Sequence, residues 1–365
     1  MTGNMTHSET VIESVLHDVN YRSFASDNYS GVHPQILEAL SRANGGHVSA
    51  YGADPYTHRF EEIIKGHFGE QAEVFTVFNG TGANVTALQA MLPRWGAVIC
   101  TTNSHIHVDE GGAPEKVGGF KLLPIETPDG KLTPEFIDKE AWGWGDEHRS
   151  QPLVVELTQS TEVGTLYTPD EIKAITDHAH SKGMKVYADG ARLSNAAAAL
   201  GLGFKEFTTD VGLDAISLGG TKNGLMFGES IVVLTPDAAP GLAYGRKFNM
   251  QLASKLRFAS AQLIEMFGTD LWLRNAQQAN AMAQKLSNAV VQLDGIELTQ
   301  KTEANAVFAK INPAVADKVR ENYAFYDWDL QNEEVRWMCS FDTTEEDING
   351  FVECLKSALG GAPRS

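Results

Sequence analysis

Two short apolar runs, each ending on an ion, constrain this chain more than anything else in it. The first is Val186-Tyr187-Ala188-Asp189, followed by Gly190-Ala191-Arg192. The second is Ala215-Ile216-Ser217-Leu218, followed by Gly219-Gly220-Thr221-Lys222-Asn223-Gly224. Apolar runs of this length bounded by glycine read as buried strands. Similar runs occur at Val74 to Phe78, Ala97 to Cys100, Lys121 to Ile125, Leu153 to Thr158 and Glu229 to Leu234. Helical patterns separate several of them, at 57–68, 85–92 and 170–182, with Gly183 placed as a cap. Strand–helix–strand alternation predicts parallel pairing and an α/β fold. Ligands of open α/β sheets sit beyond the carboxyl ends of the strands, so Asp189 and Lys222 are placed at one site.

The chain has 365 residues, enough to bury a sizeable core. Hydrophobic and charged residues make up 42% and 21%, ordinary globular values that argue against a disordered majority. A formal charge of −18 argues against a nucleic-acid-binding surface, which needs clustered Lys and Arg. Cys100, Cys339 and Cys354 are too scattered for a disulfide framework or a Cys-x-x-Cys metal pair. A reducing compartment fits, and with no secretory signal in residues 1–19 and no bilayer-length apolar run, a cytoplasmic protein without membrane contact is expected.

Residues 1–22 read as a polar tail and 23–245 as the large domain. After that the composition changes. Residues 252–293 are largely helical, with a break at Gly268-Thr269. Strand signals at 306–311 and 335–339 then mix with closing helices. Residues 246–365 are therefore expected to form a smaller α+β domain.

A lysine and a carboxylate at two such strand ends form the pattern of a pyridoxal phosphate (PLP) site, where the lysine holds the coenzyme and the acid faces its pyridine nitrogen. On these two segments alone, an Asp-Gly turn and a solvated loop lysine fit equally well. Val74 to Phe78 runs into Asn79-Gly80-Thr81-Gly82-Ala83-Asn84 and a helix. That order can seat a phosphate on the helix start at Gly80 and Thr81, although such turns also serve tight packing alone. His105 and His107, read as part of a strand, would share one face. No cysteine or His-Glu-x-x-His helix accompanies them, and no metal is expected.

Taken in order, the marks are Ala25-Ser26-Asp27-Asn28, Tyr51-Gly52-Ala53-Asp54, Asn79 to Asn84, His105 with Glu110-Gly111-Gly112, Asp189 to Arg192, Gly220 to Gly224, and Arg336. Carrying them from Phe24 onward, the chain resembles the threonine aldolases, PLP enzymes of the aminotransferase-like fold type I, and most of all their low-specificity L-threonine branch. The resemblance implies a large domain with a mostly parallel seven-stranded sheet and a smaller C-terminal α+β domain. It implies that Lys222 carries PLP covalently, that Asp189 pairs with the pyridine nitrogen, that Gly80 and Thr81 hold the phosphate, and that His105 stacks on the ring. Ser26, Arg192 and Arg336 would hold the substrate carboxylate, with Arg192 also touching the cofactor. Tyr51 and Arg257 of a neighbouring subunit would reach the phosphate in a homotetramer built from dimers.

The implied reaction is cleavage of L-threonine, L-allo-threonine and related β-hydroxy-α-amino acids to glycine and an aldehyde, linking threonine breakdown to glycine formation. His105 is the candidate base. Many relatives carry a second active-site histidine in the loop that here reads Leu157-Thr158-Gln159-Ser160-Thr161-Glu162; its absence leaves the contact to the β-hydroxyl open. The alternatives are a PLP-dependent β-eliminating amino-acid lyase and, from another class, a non-catalytic PLP-binding assembly protein.

Overall fold

The computed structural model describes residues 15–360. The part of the expected tail before residue 15 lies outside the described residues; residues 15–22 run exposed, without helix or strand.

Seven strands form the main sheet: β1 Glu73–Val77, β2 Gly96–Thr101, β3 Lys121–Ile125, β4 Gln151–Thr158, β5 Lys185–Asp189, β6 Ala215–Gly219 and β7 Glu229–Val233. Their order is β1-β7-β6-β5-β4-β2-β3. β6, β5, β4, β2 and β3 pair in parallel, while β7 is antiparallel to both β6 and β1. The alternation of side chains along a strand explains why both faces are covered. Ile99, Val155, Val186, Ile216 and Val232 point into one core with Phe60, Phe68, Ile175 and Phe204. Val98, Val154, Tyr187, Ala215 and Ile231 point into the other with Ala83, Leu88 and Leu242.

Capping chemistry fixes where helices start. Asp54 accepts from the Thr57 N–H at the head of helix Pro55–Phe68, and Thr168 with Glu171 forms a capping box for Pro169–Ser181. Register sets the site: Thr158 at the end of β4 lies beside Asp189 at the end of β5, and Gly219 at the end of β6 lies opposite Glu229.

A second, antiparallel sheet contains β8 Ile296–Leu298, β9 Ala306–Ile311, β10 Tyr326–Asp329 and β11 Glu334–Met338, in the order β10-β11-β9-β8. Its core gathers Met282, Leu286, Val307, Trp337, Phe351 and Leu355, together with Phe24 from the other end of the chain. Phe24 is tied in by its backbone, to the Ala324 carbonyl at 2.9 Å and the Met338 N–H at 2.8 Å. Leu263, Met266, Phe267, Leu271 and Trp272 pack into the large core, so the long helix Leu271–Val290 serves both units.

The segment carrying His105 is not a strand. β2 ends at Thr101, and His105–Val108 is a single helical turn closed by the His107 N–H on the Ser104 carbonyl at 2.8 Å. Residues two apart on a helix point about 200° apart, so His105 and His107 share no face. Among the described residues no helix is long and apolar enough to cross a membrane.

Candidate active site

The ends of β5 and β6 approach so closely that neither admits a side chain. A Cβ on Gly190 would lie 2.1 Å from the Ser217 carbonyl oxygen, and one on Gly219 would lie 2.3 Å from that of Ala191. These two glycines bring the Asp189 and Lys222 loops onto one cavity of about 230 Å³. Gly80, Thr81, His105, Asp189, Arg192 and Lys222 all lie on its wall.

Asp189 is fixed by three donors. The Ala191 N–H (2.9 Å) and Ser217 hydroxyl (3.2 Å) reach Oδ1, and the Asn84 amide (2.8 Å) reaches Oδ2. Asn84 spends its other N–H on Glu110 Oε1 at 2.9 Å and accepts from the Tyr187 hydroxyl at 2.8 Å. Glu110 Oε1 in turn meets His105 Nδ1 at 3.0 Å. That hydrogen bond, opposed by burial and helped by the charge of Asp189, raises the His105 pKa.

Lys222 sits in a tight turn, Thr221–Asn223. The Asn223 amide donates to the Trp272 carbonyl at 3.0 Å, and the Asn223 carbonyl accepts from Asn275 at 2.8 Å. Glu229 accepts the N–H groups of Gly220 (3.1 Å) and Thr221 (3.2 Å), and burial pushes its carboxyl up to about 7. Burial first, then the Arg192 charge, lowers the Lys222 pKa, with Asp27, Asp189 and Glu229 offsetting part of the effect. A lysine desolvated in this way is a stronger nucleophile.

Arg192 is committed to Asp27, with Nε on Oδ2 at 2.8 Å and Nη2 on Oδ1 at 3.0 Å. Asn305 also donates to Asp27 Oδ2, at 3.1 Å. Burial alone would raise the Asp27 pKa; the guanidinium beside it wins and holds it low. Arg336, on β11, stands next to Arg192 but off the cavity wall. Its Nη2 donates to the Ala25 carbonyl at 3.3 Å, its Nε is buried without a partner among the described residues, and it lies 5.0 Å from the Trp328 ring. Burial, then repulsion from Arg192, brings its pKa down to about 10. The Ser26 hydroxyl accepts the Asn28 N–H at 3.1 Å and does not reach the wall.

Tyr51 and Arg257 lie elsewhere, on the outside of this protomer. Tyr51 is half exposed, its N–H on the Ser254 carbonyl at 3.0 Å, and Arg257 reaches the Gly45 and Gly46 carbonyls. Asp27, Asn84, Glu110, Glu162 and Glu229 were given no role by sequence reasoning. Asp27, Asn84 and Glu110 stand inside marks already noted; Glu162 and Glu229 reach the cavity only through the fold.

The residues present fit PLP. Open space surrounds the Cβ position of Gly80, and Asn79 Oδ1 caps the Gly82 N–H at 2.7 Å. The N–H groups at the start of a helix have no intrahelical acceptor and favour an anion. Across the cavity stand an amine that makes no hydrogen bond or ion pair among the described residues, and a carboxylate held by three donors.

Fold and site define a PLP-dependent lyase, and residues 23–312 match the family model described as Beta-eliminating lyase. The chain is 41% identical over 341 residues to the low specificity L-threonine aldolase of Pseudomonas aeruginosa, covering 93% of this chain and 98% of that one. It is 40% identical to the enzyme of the same name from Pseudomonas sp. strain NCIMB 10558, with the same coverage. A solved threonine aldolase from Leishmania major superposes with a TM-score of 0.87 at 28% identity, over 93% of this chain and 99% of that one. This chain belongs to the low-specificity L-threonine aldolase family, whose members use PLP.

Proposed function

We propose that this protein cleaves L-threonine, L-allo-threonine and related β-hydroxy-α-amino acids to glycine and an aldehyde. The observation that carries the reading is the shared cavity, in which an amine with a lowered pKa faces a carboxylate fixed by three donors beside an open helix start. PLP, when bound, supplies an electron sink for the pair released from the Cα–Cβ bond.

Lys222 would hold the coenzyme covalently, and Asp189, fixed by its three donors, would pair with the pyridine nitrogen. Gly80 and Thr81 hold the phosphate. His105, steadied by Glu110, packs against the ring. Arg192 and Arg336 draw the substrate carboxylate to the positive side of the cavity, with Ser26 at its margin. Fixing that carboxylate would fix the rotation about Cα, and with it which bond is aligned for cleavage.

The protein works as a homotetramer in which Tyr51 and Arg257 serve the site of a neighbouring subunit. Their position on the outside of the protomer supports this, as do the exposed side chains of Tyr244, Phe248 and Met250. The three unpaired cysteines support a reducing compartment, the cytoplasm.

The test is release of acetaldehyde and glycine from both threonine diastereomers. The β-eliminating description of the matched family favours one rival, for which serine would give a keto acid and ammonia with no aldehyde. That outcome would replace the aldolase reading.

A further inference from the structure

One acid on the cavity wall has no role in the arrangement above. Glu162, in the loop after β4, uses only one of its two oxygens. Its Oε1 accepts the His105 backbone N–H at 2.9 Å and lies 2.7 Å from the Thr158 hydroxyl. Its Oε2 is buried and has no hydrogen-bond partner among the described residues. The same Thr158 hydroxyl lies 3.1 Å from Oε1 of Glu156, whose Oε2 accepts from Ser104 at 2.8 Å.

A hydroxyl has one proton to donate. Thr158 can therefore satisfy only one of the two carboxylates, and the other must carry a proton and donate to Thr158. Glu162 Oε1 already accepts an N–H, which suits an ionised oxygen. The consistent assignment runs from a protonated Glu156 through Thr158 to an ionised Glu162, leaving Oε2 of Glu162 free.

The surroundings agree. Burial, then the charges of Glu162 and Asp189, pushes Glu156 well above the usual carboxylate range. Burial also raises Glu162, to about 7, against the hydrogen bonds from Thr158 and the His105 backbone; Asp189 adds to the rise. The other charged or titratable groups facing this pair include Arg192 beyond β5, Cys100 on β2, Tyr167 and Tyr187 on β5.

We propose that Glu162 is the catalytic acid–base residue of this site: its free Oε2 takes the proton of the substrate's β-hydroxyl, and it returns one proton to Cα. The step balances. The oxygen that loses its proton becomes the aldehyde carbonyl as the Cα–Cβ bond breaks. The electron pair of that bond ends on Cα, where the returned proton completes glycine, so no net proton is gained or lost. Thr158 and Glu156 are positioning residues that keep Glu162 ionised and fixed. The inference rests on the aldol-cleavage reading.

The test uses holoenzyme carrying Glu162→Gln. General acid–base groups contribute about 10²- to 10⁴-fold, so kcat for threonine cleavage should fall at least about 10²-fold, with KM within a few-fold and the coenzyme's visible absorbance unchanged. Infrared difference titration of wild type should show carboxylic-acid C=O intensity with a midpoint near pH 7, of which one part is lost in Glu162→Gln and the other, from Glu229, remains. Thr158→Val is the second variant. It removes a hydrogen bond to the ionised form, so the acid limb of kcat should move to higher pH. A Glu162→Gln enzyme with kcat within threefold of wild type, infrared intensity near pH 7 undiminished by the substitution, or an unmoved limb in Thr158→Val would each overturn the role. Wild-type holoenzyme that releases no aldehyde would overturn the aldolase reading itself, and this role with it.

Discussion

Asp27→Asn tests the electrostatic frame of the site, because Asp27 joins three parts of the molecule. It belongs to the segment beside the second sheet, pairs with Arg192 after β5, and takes a hydrogen bond from Asn305, which also donates to the Cys339 carbonyl at 2.8 Å. The amide has nearly the same shape but brings two donors. With its NH₂ at the Oδ2 position, it faces both Arg192 Nε and Asn305 Nδ2; at the Oδ1 position it faces Arg192 Nη2. Either way a donor meets a donor, and a guanidinium is left buried without its counter-ion.

Removing one partner of a buried ion pair costs about 3–5 kcal/mol, and we expect a loss of that size in urea unfolding of the apo-protein. In the double variant Asp27→Asn with Arg192→Gln the losses should be less than additive by about 2 kcal/mol, since both changes break one interaction. The pH dependence has a definite sign. Asp27 titrates below its ordinary 3.8, so its contribution is present above that pH and is lost as pH falls through the depressed value. The variant should lack that acid-side loss. A change smaller than about 1 kcal/mol, the range of an exposed pair, would refute the reasoning.

Arg336→Ala should lower kcat/KM by about 10²-fold, through both kcat and KM, because a carboxylate loses a charge-assisted donor and its alignment; unchanged steady-state constants would remove Arg336 from substrate binding. Glu229 binds its proton more tightly folded than unfolded, so apo-protein stability should fall as pH rises from about 4.5 to about 7 and level off above. Glu162 acts in the same direction, so Glu229→Gln should reduce the slope, by about 3 kcal/mol over that window, without abolishing it; urea unfolding across pH measures this, and an unaltered slope would contradict the burial argument.

Much of the fold was legible because it depends on local pattern. Apolar runs and capping residues mark the seven strands and their helices, and Asp189 and Lys222 stand at strand ends where such a sheet places its ligands. The antiparallel course of β7 was not legible, since an apolar run looks the same in either direction. The His105 segment misled for a similar reason. His-Ile-His-Val alternates polar and apolar residues like a strand, while the turn at Ser104 that makes it helical depends on where β2 stops. The carboxylates around the cavity stayed hidden because partners far apart in sequence define them: Asn84 meets Asp189, and Glu110 meets Asn84, only after the sheet has formed. Glu110 stood beside His105 in one of the marks, and Glu162 could have been singled out as the acid in a loop that lacks a histidine.

The central claim is that the amine of Lys222 is the coenzyme's attachment point. Borohydride reduction of the PLP-loaded protein, followed by digestion and mass spectrometry, reads it directly. The account predicts a stable phosphopyridoxyl adduct on the peptide containing Lys222, and none on that peptide in Lys222→Ala. An adduct confined to another lysine, or no adduct in protein that releases aldehyde from threonine, would contradict it.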